Sequence, residues 1–172
     1  MNKLLTLILL SAATTAFAAN PYVGASVGYL VDSEEPIFTA RLGTDVAQVK
    51  GLTHSLEVEV SLVTETESGV TIDLVPAMMN YRFSGPISQG RSNFYFGGGA
   101  GFSRLKAHGF GAKVSDWSFS FQAFAGIEHK LSPALTFVVG ARYIWIDDFT
   151  ISGIDIEAGD DVALEVGLRY QF

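Results

Sequence analysis

Three histidines, a run of carboxylates and a scatter of buried-looking charges are the residues of this chain that could do chemistry. A hydrolase needs a nucleophile, a base within reach and a third group to orient the base. Ser55 follows His54 directly, so in an extended strand the two side chains point to opposite faces. His108 lies in a glycine-rich stretch with no acid beside it. His129 belongs to a segment that should not neighbour that of His54. No cysteine is present, which removes thiolate nucleophiles, disulfides and thiolate metal sites. Asp147, Asp148, Asp155, Glu157, Asp160 and Asp161 could offer oxygen ligands to a hard cation, but they lack the spacing of a calcium loop and read as a solvated acidic loop. Gly97, Gly98 and Gly99 are followed by no helix and are not a phosphate cradle. The expectation is therefore a protein without catalysis, cofactor or metal. A formal charge of -7 leaves no basic face for nucleic acid.

The more orderly charges sit in alternation with apolar residues. In the final stretch, Val162, Leu164, Val166, Leu168, Tyr170 and Phe172 form one apolar face, and Ala163, Glu165, Gly167, Arg169 and Gln171 the other. Period-two alternation specifies an extended strand with two unlike environments. Seven further segments repeat the pattern: residues 21–31, 37–46, 54–64, 70–83, 93–105, 116–129 and 134–146. Their lengths exceed the ~5–6 residues of an ordinary strand and suit one that crosses a bilayer at a tilt. In residues 70–83, alternation fails near Pro76, and a bulge is expected there.

Which face meets lipid follows from volume. One face carries most of the large aromatics; the other carries Gly, Ser, Thr and charge. A closed eight-stranded barrel has an interior just wide enough for side chains, so rows of Phe, Trp and Leu belong outside. Gly97, Gly99 and Gly101 belong inside, making room for long neighbours. Trp117, Tyr143, Trp145 and Tyr29 fall near strand ends, at the height of an interfacial girdle. The interior should then hold Arg41, Glu57, Glu59, Asp73, Gln122, Glu128, Arg142, Glu165 and Arg169 as a salt-bridge network that blocks the lumen. With three cations against five acids, at least one carboxylate would need water or a proton.

The ends of the strands differ too. Residues 47–53, 84–92 and 130–133 carry Lys50, Arg91 and Lys130 and no acid. Residues 32–36, 65–69, 106–115 and 147–160 are predominantly acidic and include the longest loops. Short turns lie on the periplasmic side of bacterial barrels and longer loops outside. At the N-terminus, Lys3, an apolar run over residues 4–10 broken only by Thr6, and Ala16, Phe17 and Ala18 read as a secretory signal cleaved after Ala18. The expected organisation is a signal peptide, 1–18, and an outer-membrane β-barrel, 19–172.

The chain resembles the small bacterial outer-membrane β-barrel proteins, the group of OmpA-transmembrane, OmpX-like and opacity-type barrels. The resemblance is carried by the signal segment, residues 75–83 (VPAMMNYRF), 94–101 (FYFGGGAG), 124–128 (FAGIE) and 167–172 (GLRYQF). It implies an all-β, eight-stranded antiparallel up-and-down transmembrane barrel in the outer membrane. It also implies contact with membrane lipid and lipopolysaccharide, a monomer, and handling by the barrel-assembly machinery through a terminal signal that includes Tyr170 and Phe172. The family holds adhesins, structural proteins, narrow pores and a few lipid-modifying enzymes. The expected role is structural or surface-interacting, with a narrow pore for ions or small solutes as the alternative.

Overall fold

The computed structural model describes residues 20–67, 70–87, 90–109, 112–151, 154–156 and 158–172. The expected signal peptide lies outside them. Eight long strands close on themselves: β1 (Pro21–Leu30), β2 (Pro36–Val49), β3 (Leu52–Glu67), β4 (Val70–Pro86), β5 (Ser92–Gly109), β6 (Ala112–Lys130), β7 (Leu135–Ile146) and β10 (Gly159–Gln171). Each pairs antiparallel with its neighbours in the order β1-β10-β7-β6-β5-β4-β3-β2, and β1 closes on β2. Closure leaves no strand edge unpaired, which is the condition for a sheet to cross a membrane. A separate hairpin of β8 (Phe149–Ile151) and β9 (Ile154–Ile156) interrupts the last connection.

Alternation decides the two surfaces as the sequence predicts. Along β10, Val162, Leu164, Val166, Leu168 and Tyr170 are exposed on the outer wall, while Ala163 and Glu165 are buried. The same outer belt takes Val58, Val60, Leu62, Phe102, Phe119, Ile127 and Val139. Inside, glycines supply the space. A side chain at Gly97 would strike the ring of Phe124, and one at Gly99 would strike the Asn80 amide, so the small stretch of β5 is what lets those groups lie across the lumen.

Three expectations are corrected. Pro76 causes no bulge: β4 keeps one register with β3 on either side of the proline and pairs continuously with β5. The register shift lies instead in β2 between Asp45 and Ala47. Second, residues 65–67 and 106–109 are strand, not loop, so β3 to β6 stand as tall ribbons at the loop end. At 19 residues, β6 is far longer than the 9–11 residues a tilted strand needs to span the hydrocarbon. Third, the inner wall is not polar throughout. Toward the loop end it carries Leu30, Ile37, Val63, Ile144, Ile146 and Ala163, with Leu74 and Leu105 packed against them. Phe149, fully buried, belongs to this cluster. The base of its hairpin is tied to β6 by Asp147 N–H donating to the Phe119 carbonyl (2.9 Å) and the Ser118 hydroxyl donating to the Asp148 carbonyl (3.1 Å).

Candidate functional site

The side chains with chemistry converge inside the barrel, below the apolar cluster. Arg41 on β2, Glu59 on β3, Arg142 on β7 and Glu165 on β10 form a closed ring. Arg41 Nε lies 2.6 Å from Glu59 Oε2 and its Nη2 lies 2.7 Å from Glu165 Oε2. Arg142 completes the ring through Glu59 Oε1 on one side and Glu165 Oε1, at 2.7 Å, on the other. β3 and β7 are not neighbours in the sheet, so the Arg142–Glu59 pair crosses the lumen. Gln122 donates to Glu59 Oε1 (3.1 Å) and to Asn80 Oδ1 (2.7 Å), and Asn80 donates to Glu59 Oε2 (3.3 Å). Glu59 thus has both oxygens occupied, as a buried carboxylate requires.

A second group lies toward the chain termini. Arg82 on β4 pairs with Glu57 (3.3 Å) and with Glu128 on β6, and Arg169 on β10 reaches Glu128 from the far side at 3.1 Å. Tyr22 donates its hydroxyl to Glu57 (2.8 Å), and Asn93 donates to Glu128 (3.0 Å). The guanidinium of Arg82 lies 4.2 Å from the Tyr95 ring centroid and that of Arg169 lies 4.9 Å from the Tyr22 ring centroid, both cation–π contacts. Between the two groups is a cavity of about 30 Å³, lined among others by Tyr22, Arg41, Glu57, Arg82, Tyr95 and Glu165. That is room for about one water.

Arg41, Glu57, Glu59, Gln122, Glu128, Arg142, Glu165 and Arg169 therefore meet in the interior. Asp73 does not. It pairs across the sheet with Thr64, whose hydroxyl donates to it at 3.0 Å in an exposed position, while its neighbour Leu74 packs against the inner cluster. Residues adjacent in a strand face opposite sides, so Asp73 is on the outer wall. Arg82, Tyr22, Tyr95 and Asn80 were not foreseen. Parity counted back from the last polar positions of β4 would have found Asn80 and Arg82; the supposed bulge at Pro76 interrupted the count. With Asp73 removed and Arg82 added, the interior ion pairs join four arginines to four glutamates. The charge imbalance that called for a protonated or wetted carboxylate is gone.

His54 and His129 stay apart from this network. His54 Nδ1 is 2.9 Å from the Tyr81 hydroxyl, and its ring meets the edge of Phe83 at 4.9 Å. This is part of an aromatic patch continued by Phe83 stacked on Phe96. His129 Nδ1 is 2.9 Å from the Ser92 hydroxyl at an exposed strand end, a pairing set by register and unseen in the sequence. His108, Asp155 and Glu157 lie outside the residues whose side chains are described. Among the described residues, no three His, Asp or Glu side chains are grouped to hold a metal ion.

At the loop end, Asp161 is the acceptor for a latch. Its carboxylate takes the backbone N–H of Asp32 (3.0 Å) and Ser33 (2.9 Å) and the Ser33 hydroxyl (2.6 Å), fixing the β1–β2 turn against β10.

The family profile for the outer membrane protein beta-barrel domain matches residues 4–172. This chain belongs to that family. Its barrel is a protein of the outer membrane. No curated protein matches the chain. Among solved structures it is similar to the Neisserial surface protein A (NspA), at TM-score 0.67 and 14% identity over 89% of this chain and 96% of that one. It is similar to Ail, the attachment invasion locus protein of Yersinia pestis, at TM-score 0.57 and 14% identity over 89% and 97%. It is also similar to the outer membrane enzyme PagL, at TM-score 0.51 and 12% identity over 87% and 98%. Such low identities establish a shared fold and leave the activity to the residues of each chain.

Proposed function

We propose that this protein is a sealed, non-catalytic barrel that acts in the envelope as a structural element and presents its acidic rim to partners. The observation that carries this reading is the double closure of the lumen: two ion-pair groups tie opposite walls together, and an apolar cluster corked by Phe149 lies above them. A path for solutes would have to break buried ion pairs. Breaking one such pair costs about 3–5 kcal/mol.

The non-catalytic reading draws on the described histidines, His54 and His129. Ser92 and His129 make a contact a hydrolase could use, but the carboxylate next to His129 in the chain, Glu128, points into the barrel and is bound by Arg82 and Arg169. The surface role draws on the neighbours named as a surface protein and an attachment protein. Tyr170 and Phe172, in edge contact at 5.4 Å on the outer wall, support recognition by the barrel-assembly machinery. A barrel with no unpaired edge supports a monomer surrounded by membrane lipid.

The test is osmotic swelling of proteoliposomes carrying the refolded mature chain, with sugars and amino acids of increasing size as solutes. Swelling no faster than that of empty liposomes is expected. Size-dependent swelling would replace the sealed barrel with the narrow pore.

A further inference from the structure

The cations described outside the lumen are sorted by height. Lys50, Arg91 and Lys130 sit at the short turns, while Arg104 and Lys106 stand together on β5 at the opposite end. Their neighbours in sequence fix the face. Phe102, two residues before Arg104, is 58% exposed on the outer wall, and Ser103 between them is fully buried. Arg104 and Lys106 therefore continue the outward row of Phe102, about 7 Å apart along the strand.

This is where the apolar belt ends. On adjacent strands the outward row passes from Val75 to Asp73 and from Phe119 to Trp117 to Ser115. Arg104 is in register with both Val75 and Trp117. Its guanidinium lies 5.5 Å from the Trp117 ring centroid, a cation–π distance, and Trp117 itself is 58% exposed. An indole at the edge of a belt marks the membrane–water interface. Charge on the lipid face costs ~2–4 kcal/mol at mid-membrane but only ~0–1 at this depth.

The Arg104 side chain is held but not used up. Its Nη2 reaches the Ser115 hydroxyl only at 3.4 Å, its Nε is buried without a hydrogen-bond partner among the described residues, and no described side chain pairs with its charge. Lys106 faces Asp73 and Ser115 across its two neighbouring strands. Around the same rim, the loops carry Asp32, Glu34, Glu35, Asp147 and Asp148, which would repel a layer of phosphates. The tall β4–β6 flank alone presents described cations to that layer.

We propose that Arg104, Lys106 and Trp117 form a binding site for a phosphate of the outer-leaflet glycolipid lipid A. Arg104 supplies the planar fork that matches phosphate oxygens, Lys106 adds a second charge, and Trp117 holds the guanidinium at headgroup height. The site is independent of whether the lumen conducts.

The test is native mass spectrometry of the refolded mature chain from detergent micelles. The probes are bis-phosphorylated lipid A, dephosphorylated lipid A and inorganic phosphate as competitor. The expected result is retention of lipid A by the native chain and by a K130Q control at the opposite rim. R104Q/K106Q should retain it at least ten-fold more weakly, and the native chain should retain the dephosphorylated lipid as weakly. R104K, which keeps the charge and the fold but loses the fork, should fall between. Heat-modifiable migration on gels establishes that each variant is folded. Equal retention by the native chain and R104Q/K106Q, or equal retention of both lipids, would overturn the proposal. So would full displacement by millimolar inorganic phosphate, which would make this a site for free anions.

Discussion

Glu59 accepts from Arg41, Arg142, Gln122 and Asn80 and is almost fully buried. Its position shows why the interior charges are interdependent. Two arginines in one ring share two carboxylates, so removing any member leaves a buried charge without its counter-ion. Arg142→Met is expected to lower stability by about 3–5 kcal/mol, and Glu59→Gln by a similar amount. The double variant should cost less than the sum of the two, because the Arg41–Glu165 pair survives it. Equilibrium urea unfolding in lipid vesicles reads all three; strict additivity would mean the ring is not a unit. Most of this network was legible as alternation: Glu57, Glu59, Glu165 and Arg169 each sit among residues whose apolar partners point the other way. Asp73 is the exception, for a physical reason. Ile72 and Leu74 look like a lipid-facing row, yet Leu74 faces an apolar part of the lumen. Where both faces are apolar, hydrophobicity cannot tell in from out.

At the scale of elements, strand number and closure could be read from the sequence because period-two patterning is local. The height of β3 to β6 could not, since polar residues at strand ends look the same in a ribbon above the membrane as in a loop. The β8–β9 hairpin was hidden in an acidic stretch whose decisive residue is the apolar Phe149. Phe149→Ala removes a buried side chain of this hairpin and should expose β8 and β9 to protease while the barrel stays folded. Limited proteolysis followed by gel migration checks this; unchanged cleavage would mean that the ties to β6 hold the hairpin without Phe149. Deleting Phe172 tests the terminal strand in its other proposed role. The variant should still refold in micelles but accumulate poorly in the outer membrane of cells, by fractionation and immunoblot. Equal outer-membrane yield would remove Phe172 as an assembly signal.

For the whole molecule, the arrangement is an apolar wall around a polar core, reversed from a water-soluble barrel because the solvent on its outer wall is lipid. The core is layered along the axis. Ion pairs with Tyr22 and Tyr95 lie near the termini, the Arg41–Glu59–Arg142–Glu165 ring in the middle, and the Phe149 cluster under the loops. Each layer narrows the lumen, and the proposed sealed barrel has all three in series. The turn end is basic and the loop end acidic, an asymmetry already present in the composition of the connections. The proposed function turns on a closed lumen. Planar-bilayer recording of the refolded mature chain at neutral pH tests it most directly. The closed barrel predicts a flat baseline at every voltage that the bilayer tolerates, and reproducible discrete current steps from the native chain would contradict it.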